Sequence, residues 1–148
     1  MCKRSQVKVP LVPVTIKFGE ELPTPKSRLP KSALSGILAA FPGDVYASKV
    51  ANTNSMEPMI DVGCRCIMLK NPDPDDLIVG DVIIYDKDGI IVDYNRDSDD
   101  IIHAIKEIGN DGERFFTLKG YNNAVVDPIK VRDNMIVSVL LSVVYMEE

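Results

Sequence analysis

Tryptophan is absent, and the aromatic residues are only four Phe and five Tyr. That is a poor supply for base stacking, so no nucleic-acid partner is expected. Cysteine occurs three times, at Cys2, Cys64 and Cys66. An odd count with a C-x-C pair matches neither a secreted disulfide framework nor a zinc site, and it predicts buried thiols in a reducing compartment. Long apolar runs are missing too. The longest, residues 135–145, is about half of the ~20 residues that a spanning helix needs, so no membrane span is expected. Pro10 and Pro13 interrupt the short apolar stretch near the N-terminus, which therefore does not read as a signal peptide. The expected location is the cytoplasm or the interior of a virus particle. The acidic stretches 72–76 and 93–100 lack the ligand spacing and terminal Glu of an EF-hand loop; they are solvated loops, and neither a metal nor another cofactor is expected.

What remains is a chain of 148 residues, 45% apolar, enough for one hydrophobic core. The net charge of −5 is unevenly spread. Residues 1–31 carry seven Lys/Arg and two Glu, giving +5, which leaves −10 for the rest. Five of the ten prolines fall in residues 1–30. Proline removes a backbone donor and fixes φ, so this stretch is read as an extended basic arm, distinct from a domain at 31–148. The arm is expected to dock on the acidic body, burying Val7, Leu11, Val12 and Ile16, or to tether a homo-oligomer or larger assembly.

The domain is predicted to be mostly β, with a folded or barrel-like sheet. One short helix is expected at residues 31–41, capped by Ser32 and ended by Pro42-Gly43. Strands are expected at 45–51, 65–70, 81–86, 90–94, 100–108, 114–119 and 135–144, with Lys87-Asp88-Gly89 as a hairpin turn.

Histidine occurs once, at His103, and shares a strand face with Ile101 and Ile105. By itself that describes a core histidine as well as a base. Ser55 follows a strand and precedes Pro58, in a turn that either exposes a hydroxyl or is simply polar. Lys106 is the nearest basic neighbour of His103; on a regular strand the two face opposite sides, which favours a Ser/His over a Ser/Lys pair.

Ser55-Met56-Glu57-Pro58, Gly80-Asp81-Val82, Ile101-Ile102-His103, the stretch from Thr117 to Asn123 containing Lys119-Gly120-Tyr121-Asn122-Asn123, and Asp127 occur in this order. Over about residues 45–140 the succession resembles the signal peptidase family, in the archaeal and endoplasmic-reticulum branch that pairs a Ser nucleophile with a His base. The resemblance implies a signal-peptidase-like fold and a serine endopeptidase. Ser55 would be the nucleophile, His103 the base and Asp127 its orienter. The Ser55 backbone N–H and the Thr53 hydroxyl would bind the oxyanion. An extended protein or peptide substrate would pair beside the strand at 45–51, lined by Val45, Ala47, Lys49 and Met56, and be cut after small residues. Tyr121, Ala104 and Cys64 stand where the family usually has Asp, Arg and Asp, and the membrane anchor typical of the family has no counterpart in the chain. Self-cleaving SOS-repressor peptidases share this fold, so self-processing is a related expectation. The expectation from a different class is a catalytically silent structural or adaptor module in an assembly such as a virus particle.

Overall fold

The computed structural model describes residues 19–22, 27–88 and 100–147. Six strands form one antiparallel sheet: β1 (Val45–Ser48), β2 (Cys64–Lys70), β3 (Val82–Tyr85), β4 (Ile101–Asn110), β5 (Arg114–Lys119) and β6 (Ile136–Tyr145). Their spatial order is β1-β2-β6-β3-β4-β5. Among the described residues one α-helix is present, α1 (Leu34–Ala40), preceded by the 3₁₀ turn Lys31–Ala33. The mostly β expectation with one short helix therefore holds. The sheet's two edges, β1 and β5, are not paired with each other. The expected strand at 90–94 and Gly89 of the predicted hairpin turn lie outside the described residues, as do Val7, Leu11, Val12 and Ile16 of the arm.

The sheet carries an apolar cluster on each face, and β3 shows why. Alternate side chains of a strand point to opposite sides. Val82 and Ile84 join one apolar cluster, with Met56, Ile60, Cys66, Met68, Ala104 and Val137. Ile83 and Tyr85 join the other, with Leu77, Ile105, Phe116, Leu118, Val131, Met135 and Ile136. The continuous apolar run of β3 thus serves two cores, each buried aliphatic side chain contributing about 1.5–3 kcal/mol.

Three expectations are corrected. Ser32 is not a helix cap: Ala33 N–H bonds Pro30 O at 3.0 Å, so the turn begins directly after Pro30 and Ser32 already lies inside it. Neither Pro30 nor Ala33 supplies a side-chain cap. The strand expected at 45–51 ends at Ser48, whose partner is Cys66, because the chain then leaves the sheet. Lys106 does not follow simple alternation, since the β4–β5 register shifts between Ile105 and Glu107; its side chain is exposed. Cys64 and Cys66 are buried free thiols, and burial pushes the Cys66 thiol up to about 12, which leaves it inert.

Arg28 and Leu29 lie against the end of β6. Leu29 N–H bonds Tyr145 O at 2.8 Å, Glu147 N–H returns to Leu29 O at 2.9 Å, and the Arg28 guanidinium stands 5.3 Å from the Tyr145 ring centre.

Candidate active site

His103 is presented by β4. Its cross-strand partner on β3 is Ile83, and Tyr85 is the partner of Ile101. The period of two therefore places His103, Ile83 and Tyr85 on one face of the sheet. Ala104, pointing the other way, is buried in the opposite cluster, where a longer charged side chain would have to be buried too. The turn Gly80-Asp81 fixes β4 just beyond the histidine. Gly80 N–H bonds Ile105 O at 2.9 Å, and Ile105 N–H bonds Asp81 O at 2.8 Å. Gly80 has φ +101°, a conformation that glycine adopts without strain.

Ser55 sits on the excursion between β1 and β2. Asn54 before it has φ +59°, in the left-handed region that Asn tolerates. Beneath the turn, Met56 and Ile60 anchor it in the apolar cluster. The segment after β5 grips it from the other side. Asn122 N–H donates to Ser55 O at 2.9 Å, and the Asn122 side chain donates to Asn54 O at 3.0 Å. Gly120 packs so closely that a Cβ there would meet Ser55 O at 2.6 Å. The Gly120-Tyr121-Asn122-Asn123 stretch thus has a mechanical explanation: it holds the backbone of the serine turn.

Asp127 arrives on the same segment, pinned by its N–H to Leu118 O of β5 at 2.7 Å. Its Oδ1 and Oδ2 lie 2.8 and 2.7 Å from His103 Nδ1. His103 Nε2 lies 3.2 Å from Ser55 Oγ, and Thr53 Oγ1 is 3.1 Å from that oxygen. The His103 and Asp127 side chains are 10% and 8% exposed, so the pair is largely removed from water while Ser55 remains partly open. Tyr85, 1% exposed, donates its hydroxyl to Asp127 Oδ2 at 2.8 Å. Burial and the adjoining carboxylate push the Tyr85 phenol well above its usual range, which keeps it a donor.

Ser55, His103 and Asp127, far apart in sequence, are therefore contiguous. Thr53 lies beside them, and the Ser55 N–H points to Thr53 Oγ1 at 3.5 Å. Val45 and Ala47 are half-buried on edge strand β1, and Lys49 is exposed just past its end. Met56 is 3% exposed and supports the serine turn from the core. Tyr121 is 40% exposed.

Three residues without an assigned role in the sequence reading belong to the site. Tyr85 is one; the alternation of β3 could have found it once the β3–β4 register was known. Asn122 is the second: it also accepts Gly19 N–H at 2.7 Å and donates to Glu20 O at 2.7 Å. The third, Glu57, is 1% exposed and accepts Leu22 N–H. Residues 19–22 thus bind the backs of both segments that form the site. Burial, chiefly, pushes the Glu57 carboxyl above its ordinary range, with Asp61 and Glu21 adding to the effect.

Among the described residues no cluster of three or more His, Cys, Asp or Glu side chains is placed to hold a metal, and no helix is long and apolar enough to cross a membrane. Comparison with protein-family models, with curated proteins and with solved structures returns no match.

Proposed function

We propose that the chain is a serine endopeptidase of signal-peptidase type, acting on an extended peptide through Ser55, His103 and Asp127. The observation that carries this reading is the unbroken series of contacts from Ser55 Oγ through the His103 ring to the Asp127 carboxylate. A serine hydroxyl is a weak nucleophile until a base accepts its proton. With Nδ1–H donated to Asp127, Nε2 carries the lone pair that faces Ser55 Oγ, which is the tautomer that general-base catalysis requires. As Oγ bonds to the substrate carbonyl carbon, its proton passes to Nε2 and the imidazolium is held by Asp127. The same Nε2 then protonates the leaving amine, and water repeats the sequence on the acyl-enzyme. The Ser55 N–H and the Thr53 hydroxyl are the donors assigned to the tetrahedral oxyanion. That assignment requires the N–H to turn from Thr53 Oγ1 toward the substrate.

Among the described residues, edge strand β1 has one side not paired with another strand, on which a peptide strand can add. A peptide there runs past Val45, Ala47 and Lys49 toward Ser55. The preference for small residues before the cut, and the signal-peptidase-like fold, rest on the sequence resemblance.

The test is an electrophilic peptide trap for serine nucleophiles, read by intact mass. One adduct per chain, absent in Ser55→Ala and strongly slowed in His103→Ala, is expected. A wild-type chain that forms no adduct with any peptide of the series is instead the silent structural or adaptor module.

A further inference from the structure

The excursion that carries Ser55 has a stem, and a cavity of about 330 Å³ opens at its base, lined by Lys31, Lys49, Val50, Val62, Gly63 and Arg65. The chain leaving β1 supplies Lys49 and Val50. The chain returning into β2 supplies Val62, Gly63 and Arg65. Lys31 comes from the 3₁₀ turn before α1. Val50 also packs against the cluster that contains Met56, the neighbour of Ser55. The cavity and the nucleophile are therefore parts of one local structure.

Three of the six lining residues are cations and none is acidic, in a chain with a net charge of −5. The pairing of Ser48 with Cys66 at the end of β1 brings Lys49 level with Arg65. Like charges brought close together repel one another. Several cations elsewhere are neutralised, while Lys87 and Lys106 stand singly among the described residues: Lys70 pairs with Asp44, Arg114 with Asp75 and Asp133, Lys130 and Arg132 with Asp111. Lys31, Lys49 and Arg65 make no ion pair with a described residue; the Arg65 guanidinium donates only to its neighbour's carbonyl, Cys64 O, at 3.2 Å. Stability alone does not account for three convergent, uncompensated cations around a concavity.

We infer that this cavity is a subsite for an acidic side chain of the extended peptide on which Ser55 acts. The inference rests on the peptidase reading above and adds a substrate class to it. A peptide strand added along β1 passes Lys49 on its way to Ser55, so the carboxylate belongs several residues from the scissile bond. Lys31, Lys49 and Arg65 offer it charge-assisted donors, and Val50 and Val62 receive its methylene groups.

The experiment uses the full chain carrying Ser55→Ala, so that bound peptide is not consumed. Fluorescence anisotropy is measured with alanine-rich extended peptides in which a single Glu is moved position by position, each with a Gln counterpart. At one register the Glu peptide is expected to bind about tenfold more tightly than its Gln partner, with the difference reduced by high salt. The difference should vanish in Lys49→Gln/Arg65→Gln and survive in Lys49→Arg. Equal affinities at every register, or a preference that persists in the double variant, would overturn the inference. A wild-type chain that forms the serine adduct but shows no acidic preference loses the subsite and keeps the peptidase reading. One that binds acidic peptides through these cations, yet neither cleaves them nor reacts with the trap, keeps an acidic-peptide site and loses the peptidase reading.

Discussion

The Tyr85 hydroxyl donates to Asp127 Oδ2 at 2.8 Å, on the same carboxylate that faces His103 Nδ1. Asp127 lies on an irregular segment, and its backbone is tied to β5 by one hydrogen bond, from its own N–H to Leu118 O. The phenol, rooted in β3, supplies a rigid donor that fixes how the carboxylate is turned. Tyr85→Phe keeps the ring and removes that donor. A hydrogen bond to a charged group contributes about 1.5–3 kcal/mol, so peptide hydrolysis should fall by roughly tenfold or more in kcat with KM little changed. The chain has one histidine, so the His103 Hδ1 resonance is free of overlap and should shift in the variant. An unmoved resonance and unchanged kcat would reduce Tyr85 to a core residue.

Asp127→Asn should leave the fold intact, because the segment keeps its bond to Leu118 O. The amide no longer holds the imidazolium or enforces the tautomer, and kcat should fall by about 10⁴-fold. Tyr121, exposed and outside these contacts, should tolerate Phe with less than about a twofold change, as surface substitutions usually do. Peptide cleavage and circular dichroism on both variants check this; equal losses would place the orienting group elsewhere.

Glu57 makes stability depend on pH. Its folded-state pKa is raised, mainly by burial. The folded state therefore holds the proton more tightly than the unfolded chain. The contribution is fully present below the unfolded-chain value and is lost as pH rises through the raised folded-state value. Thermal unfolding across this range should show stability falling with pH in the wild type. In Glu57→Gln, which has no proton to lose, the curve should be flatter. Parallel curves for the two proteins would mean that Glu57 binds its proton equally well in the folded and unfolded chains, so that burial does not raise its pKa.

Gly120→Ala tests the grip on the serine turn. The added Cβ would meet Ser55 O at 2.6 Å, a backbone atom that cannot move without shifting the Ser55 side chain. A destabilisation of about 1–3 kcal/mol is expected, as for other overpacked sites. The rate of adduct formation with the peptide trap should fall disproportionately. A variant with normal stability and reactivity would show that the turn has room to relax.

The sequence by itself determined the β-rich class and the approximate places of β2, β3, β4, β5 and β6, because alternation and turn chemistry act over neighbouring residues. It also marked Ser55, His103 and Asp127 as candidates, through motif order. Tertiary structure decided the rest. Strand β1 stops at Ser48 because the chain must leave the sheet to carry Ser55 to His103. Ser32 is no cap because Pro30 starts the turn early. Tyr85 read as one more position in a strand, and Asn122 as part of a motif with no role of its own. Their roles appear only when β3 pairs with β4 and the segment after β5 folds back over the serine turn. Lys49 was expected beside the substrate and Arg65 had no role; only the folded excursion brings the two, with Lys31, to one cavity. Periodicity tells which way a side chain points; only the register between distant strands tells what it meets.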